Sequence, residues 1–215
     1  MDIAWIGHAA FRLRGRDAAV VMDPAPSSTG FRLGRPQADL VTVSNDAPEH
    51  SWIGGVAGEP LELIGPGEYE VKDVLVTGVP TAGPPGNGDA RRNVAFVVTI
   101  DDIVVAHLGD MGAAPSGDAL EELNRADVLL LPVGGNGHMD VETATKIMGL
   151  LEARLVIPML YKAGSESGRL DSIDGFLNAT GATLPEETEN HINLSRRDLP
   201  QNTTILVLSP RGETD

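Results

Sequence analysis

The residues able to do chemistry in this chain stand at the ends of apolar runs. Leu40-Val41-Thr42-Val43 is rich in β-branched residues and stops at Ser44-Asn45-Asp46-Ala47-Pro48, where each residue favours a turn over a continuing ladder. Glu49 and His50 follow, placing a carboxylate beside an imidazole. A buried strand that empties into a polar loop is where α/β proteins put reactive groups, because the sheet holds the loop while its side chains open to a cleft. Such a pair suits metal ligation or proton transfer. Four other groups occupy similar places: His8 in the turn Gly7-His8, Asp110 after His107-Leu108-Gly109, His138 in a glycine-rich loop, and Tyr161 beyond the run 154–159. His8 reads either as a cleft-lining imidazole or as a turn histidine bonded to backbone. Asp110, taken alone, reads as an Asp ending a strand beside Gly112. The loop Gly134-Gly135-Asn136-Gly137-His138-Met139-Asp140 precedes a helix, a place that can cradle phosphate, but it lacks a Walker lysine and puts an acid in the helix's first turn.

Composition narrows the chemistry. The 215 residues contain no Cys, so thiolate ligation and disulfides are excluded and any metal must be held by His and carboxylates. Asp and Glu number 31 against 16 Lys and Arg, a formal charge of -15 that argues against nucleic acid and anionic membrane as partners. The opening MDIAWIGHAAF carries Asp2 and no basic region before an apolar run, which predicts no signal peptide. No apolar run approaches the ~20 residues of a membrane span. The expected compartment is the cytoplasm.

The elements that must position these groups can be read from pattern. A meander of strands is predicted over 3–6, 10–14 and 18–22, with turns at Gly7-His8 and Gly15-Arg16-Asp17. The run 40–43 is the next strand, and one helical turn is predicted between Pro48 and Gly54. Strands follow at 61–64, 68–71 and 74–79, the first two joined by a tight turn at Gly65-Pro66-Gly67 that needs positive φ. A Gly- and Pro-dense loop covers 81–92, and 93–100 with 103–106 form a hairpin closed by Asp101-Asp102. Then helices alternate with strands: helix 116–125, strand 128–133, a helix capped by Asp140 and running to about Glu152, strand 154–159, helix 172–180 and strand 203–208. No linker or break in composition divides the chain, so one domain over residues 1–215 is expected.

These motifs resemble the metallo-β-lactamase-fold superfamily, and within it the branch of ascorbate-phosphate-lactonase-like and Zn-dependent hydrolase proteins. The likeness rests on Trp5-Ile6-Gly7-His8-Ala9, Asp23-Pro24, Gly65-Pro66-Gly67-Glu68-Tyr69-Glu70, His107-Leu108-Gly109-Asp110 and Ile157-Pro158-Met159-Leu160-Tyr161-Lys162, and it spans nearly the whole chain. It implies an αβ/βα sandwich, two mixed β-sheets face to face and flanked by helices. It also implies a dinuclear metal centre, and here the chain departs from the family. The loop that reads Thr/Ser-His-x-His-x-Asp-His in relatives is Ser44-Asn45-Asp46-Ala47-Pro48-Glu49-His50. The His that follows Pro-Thr is absent, since Pro80-Thr81 runs into Ala82-Gly83, and Leu160 stands where Ile-Pro-Met-His-Tyr-Lys carries its ligand. Relatives tend to carry Thr where His138 stands.

By this resemblance one ion would fall to Asn45, Ala47 and Gly83, none of them a credible ligand, and the other to Glu49, His50, Asp110 and Leu160, with Asp110 bridging the two. The expected function is therefore a superfamily member whose dinuclear site is largely lost, with a binding or structural role. The alternative is a hydrolase of a lactone, ester or phosphodiester using a single divalent ion, zinc or manganese, on Glu49, His50 and Asp110, with Asp110 and His50 as its catalytic residues. A third reading is metal-free acid–base work by His8, Glu49, His50, His138 and Tyr161. In each case the cleft would be lined by His8, Asn45, His138, Leu160 and Tyr161. Leu160 would point into it and desolvate Asp110, with His50 as the compensating partner. The implied partner is a small-molecule ligand, and relatives add the expectation of a homo-oligomer.

Overall fold

A computed structural model describes residues 1–84, 92–164 and 170–212. The chain opens with β1 (Asp2–Gly7), β2 (Ala10–Arg14), β3 (Ala19–Met22), β4 (Leu40–Thr42) and β5 (Leu61–Leu63). It continues through β6 (Gly67–Val71), β7 (Val74–Ala82), β8 (Arg92–Ile100) and β9 (Ile103–His107). Helices then alternate with strands: α1 (Asp118–Leu123), β10 (Val128–Pro132), α2 (Val141–Leu151), β11 (Leu155–Met159) and α3 (Asp174–Thr180), followed by β12 (His191–Asn193) and β13 (Thr204–Ile205).

Two mixed sheets result. The first has the order β12-β1-β2-β3-β4-β5, antiparallel up to β3 and parallel from β3 to β5. The second runs β13-β11-β10-β9-β8-β7-β6, parallel on the β13 side and antiparallel from β9 onward. Alternation explains the first sheet: Phe11 and Leu13 are fully buried while Arg12 and Arg14, between and beyond them, face outward. In the second sheet β10 and β11 are buried along their whole length, as parallel strands covered on both faces must be. Trp5, Phe11, Met22, Leu40, Phe96 and Ile103 belong to one large buried cluster between the sheets. Each such side chain contributes on the order of 1.5–3 kcal/mol by leaving water.

The helices are distributed unevenly. α1 packs on β7 and α2 on β10, so both cover the second sheet, and α3 packs on α2. The outer face of the first sheet is covered instead by loop residues: Ala25, Leu33, Ala38, Val43 and Val56 close a second apolar cluster over Ile6, Ala10, Val21 and Val41. Among the described residues no helix is long and apolar enough to cross a membrane.

Several elements differ from expectation for local reasons. Residues 48–50 form a turn and the helical turn falls later, as a 3-10 turn at Ile53–Gly55, because Trp52 is pulled onto Pro24 by a backbone bond of 2.8 Å. α1 is shorter than 116–125, since Gly117 at its start has φ 56. Only Thr204–Ile205 of the stretch 203–208 pairs as a strand. β12 carried no readable signal; it is three residues long and added to the edge of β1 by register alone. Asp140 does cap α2, its carboxylate accepting from Thr143 N at 2.7 Å.

This architecture brings strand ends together. β1, β3 and β4 run in one direction, so His8, Asp23 and Ser44 leave the same edge of the first sheet. β9, β10 and β11 are mutually parallel and deliver Asp110, Gly134 and Leu160 from one edge of the second. Backbone bonds join the two edges: Leu160 N donates to His8 O at 3.1 Å and Val94 N to Ser44 O at 2.8 Å. Gly109 sits at this junction with φ 61, and a Cβ there would collide with the Ser44 side chain.

Candidate active site

Asp23 is the anchor of the cleft, wholly buried at the end of β3. Its Oδ1 accepts from Ser44 N at 2.8 Å, and its Oδ2 accepts from Ser44 Oγ at 2.6 Å and from His50 Nδ1 at 2.7 Å. Burial pushes its carboxyl upward, but the charges of His50 and His107 and the bonds from His50 and Ser44 outweigh that and hold it below the usual carboxylate range. An ionised carboxylate only accepts, so Nδ1 of His50 carries the proton and, in the neutral ring, Nε2 is the acceptor. Burial lowers the pKa of His50, yet the charge and hydrogen bond of Asp23, with Asp110 and Glu49 behind them, raise it overall.

A second pair faces the first. His138 Nδ1 lies 2.7 Å from Asp110 Oδ1, with Asp110 nearly buried and His138 about a quarter exposed. Asn93 of β8 fixes the acid's backbone, accepting from Asp110 N at 3.0 Å while donating to Thr81 Oγ1 at 2.7 Å and Leu108 O at 2.9 Å.

His8 stands beside His50, ring centroids 5.3 Å apart and planes at 67°. Its backbone has φ 54, and its carbonyl accepts from Trp5 Nε1 at 3.0 Å and from Leu160 N. The ring itself is buried, and its Nδ1 has no hydrogen-bond partner among the described residues. Burial, then the positive charges of His50 and His138, push its pKa down to about 3, with Asp23 only partly opposing. His8 is thus a neutral imidazole in the midst of two carboxylate–imidazole pairs. His107 is different in kind: its Nε2 donates to Ala9 O at 2.8 Å and its Nδ1 accepts from Gly109 N at 3.1 Å, which makes it a structural tie between the sheets.

The other residues singled out from sequence make contacts of a different kind. Asn45 folds onto its own loop, its Oδ1 accepting from Ala47 N at 3.0 Å and its Nδ2 donating to Ser44 Oγ at 3.1 Å. Glu49 is exposed on the turn 48–50. Leu160 is fully buried with φ 54. Tyr161 packs its ring on Trp5, centroids 5.2 Å apart, and donates its hydroxyl to Leu208 O, beyond the last strand, at 3.4 Å. The partner of Asp110 is His138 where His50 was expected, because His50 has already spent Nδ1 on Asp23. Among the described residues no three His, Asp or Glu side chains form a group that could hold a metal ion, and Glu49, His50 and Asp110 are not gathered into one.

Sequence reasoning missed Asp23, Ser44 and Asn93 as site residues. Asp23-Pro24 was visible as a strand stop, and Ser44 as the first residue of the loop. Asn93 gave no local signal, since its role depends on β8 lying beside β9. Chemically, the arrangement offers one neutral imidazole, two hydrogen-bonded carboxylates and the outer nitrogens of His50 and His138, groups that can hold a polar molecule and exchange protons with it.

Comparison with known proteins agrees with this architecture. Residues 2–160 match the model of the beta-lactamase superfamily domain. A UPF0173 metal-dependent hydrolase of Methanoculleus marisnigri is 30% identical over 189 residues, covering 75% of this chain and 81% of that protein. One of the same name from Methanoregula boonei is 28% identical over 185 residues, covering 75% and 82%. Among solved structures, a candidate Zn-dependent hydrolase of the metallo-beta-lactamase superfamily from Thermotoga maritima superposes with a TM-score of 0.77 at 31% identity, covering 97% of this chain and 98% of that one. With two mixed sheets whose strand ends are joined by backbone bonds, and this match through most of its length, the chain belongs to the beta-lactamase superfamily, among the UPF0173 metal-dependent hydrolase relatives.

Proposed function

We propose that this chain keeps the superfamily's cleft as a binding site for a small polar molecule and has given up two-metal hydrolysis. The bond between His138 Nδ1 and Asp110 Oδ1 carries this reading. The resemblance assigns Asp110 to bridge two cations, and here an imidazole of the same chain satisfies that carboxylate. Each ion of such a centre needs about three protein donors at about 2.0–2.2 Å. The positions in question hold Asn45, Ala47, Gly83 and Leu160, and Asn45 spends both ends of its amide within its loop. These residues do not fit a dinuclear group.

A second reading has a specific observation behind it. Metal-bound imidazoles normally give their other N–H to a carboxylate, and His50 is held in that way by Asp23. A single divalent ion, zinc or manganese, on His50, Asp110 and Glu49 would support hydrolysis of a lactone, ester or phosphodiester by acidifying a water. Metal analysis of protein purified without chelator, followed by calorimetric titration with zinc and manganese, separates the two. Far less than one ion per chain and no saturable uptake are expected. One ion per chain, lost in His50→Ala, would select the second reading, and two ions per chain would overturn both.

A further inference from the structure

The end of the first sheet away from the cleft is unlike the rest of this acidic chain. Arg12 and Arg14 face outward from β2, Arg16 follows the strand, and Arg211 is brought alongside by a bond from its N to Trp5 O at 2.9 Å. The four arginines line a groove of about 600 Å³. Arg14 is in register with Asp2 and Ala19, whereas His8 and Asp23 lie past the opposite ends of β1 and β3. Six residues at ~3.3 Å each separate Asp2 from His8, which puts the Arg14 end of the groove about 20 Å along the sheet from His8, while Arg211, bonded to Trp5, lies about 10 Å along it.

A quarter of the 16 basic residues thus converge on one concavity of a chain with a formal charge of -15. Two carboxylates share it, fewer than its four guanidinium groups and the Met1 amino group. Asp101 is already held by Arg16 Nε at 3.4 Å and by the Met1 amino group at 3.3 Å, and Asp2 lies 3.9 Å from His191 Nε2. Arg12, Arg14 and Arg211 have no ion-pair partner among the described residues, and Nε of Arg12 is buried with no hydrogen-bond partner. Burial first, then the like charge of Arg14 and Arg211, lowers the pKa of Arg12 from its ordinary value, with Asp2 as the opposing charge. Guanidinium groups held together with donors unspent are relieved by an anion that takes several N–H groups at once.

We propose that Arg12, Arg14 and Arg211 form a site for a small ligand of the polyphosphate type, one that shares no residue with the candidate active site. The volume lies within the range of small-molecule sites, about 300–1,000 Å³. Nucleic acid is disfavoured because the surrounding chain repels an extended polyanion. The test is calorimetric titration of the whole chain with orthophosphate, pyrophosphate, tripolyphosphate and ATP in chloride buffer. Saturable one-to-one binding of tripolyphosphate is expected, tighter than orthophosphate, and weakened roughly 10-fold or more in Arg14→Gln and in Arg211→Gln. Both residues are exposed, so these variants keep the test open even if Arg12→Gln folds poorly. Arg125→Gln, whose arginine pairs with Glu122 outside the groove, is expected to bind like the parent. Equal affinity for tripolyphosphate and ATP would assign the site to the phosphate chain alone, and stronger ATP binding to a nucleotide. No saturable binding, binding untouched by Arg14→Gln and Arg211→Gln, or a self-association of the chain abolished by those substitutions would each overturn the proposal, the last by giving the groove to a second acidic copy.

Discussion

His8 is the residue whose burial has the clearest consequence for the solution behaviour of the fold. Its pKa falls from 6.5 to about 3 on folding, so between those values the unfolded chain binds a proton that the folded chain refuses. Stability then falls as pH falls through this window, by up to about 1.4 kcal/mol per pH unit for one proton. His107, also lowered by burial, adds to the same slope. His50 works the other way: its folded pKa is raised, so its contribution is fully present below 6.5 and is lost as pH rises through the folded value. Together they place the stability maximum near pH 6.5. Urea unfolding between pH 4 and 8 tests this, with His8→Gln expected to remove about one proton from the acid-side slope. An unchanged slope in that variant would mean that His8 is solvated in solution. At this scale the types of the site residues were legible from sequence and their pairing was not. His8, His50, Asp110 and His138 could each be picked from a strand end, but which imidazole serves which acid depends on which ends meet across the two sheets.

The elements themselves were read with more success, because period and punctuation are local. The hairpin of β8 and β9 closes at Asp101-Asp102 as its sequence predicts, and both of those residues take positive φ there. Asp140 caps α2 for the reason its type suggests, and Asp140→Ala is expected to cost about 1 kcal/mol of stability. What failed were elements defined by a partner, above all β12, which exists because β1 has a free edge, and the turn after Pro48, which the Trp52 to Pro24 bond reshapes. The junction of β9 with β4 makes the sharpest test of packing at this scale. Gly109→Ala must place a Cβ against Ser44 and Asn93 at φ 61, combining about 1–2 kcal/mol of left-handed strain with a further 1–3 kcal/mol of overpacking. A fall in melting temperature of several degrees, read by circular dichroism, is expected. A variant as stable as the parent would show that the two strand ends can part enough to admit a methyl group.

For the whole molecule, the proposed loss of the metal centre poses the question of whether only donor atoms are missing or the site is rebuilt without them. Asn45, Ala47, Gly83 and Leu160 stand in loops that backbone bonds tie to neighbouring strand ends: Ser44 O accepts from Val94 N, Ala82 O from Gly112 N, and Leu160 N donates to His8 O. Asn45→His, Ala47→His, Gly83→His and Leu160→His together should therefore recover metal binding in part. The recovery should be limited by His138, which holds the carboxylate that the ions would share. Adding His138→Thr, the residue type that relatives tend to carry there, should free Asp110 and raise affinity further, by roughly 10–100-fold if the imidazole is the main competitor. The order expected in calorimetric titration with zinc is parent, then fourfold variant, then fivefold variant. Catalytic turnover should return less readily than binding, because a reacting centre needs its ligands held to about 0.5 Å by neighbours that have also changed. If the fourfold and fivefold variants both fold and bind no more zinc than the parent, the cleft has been remodelled as a whole, and the pairs Asp23–His50 and Asp110–His138 are features of a different site built on the same two sheets.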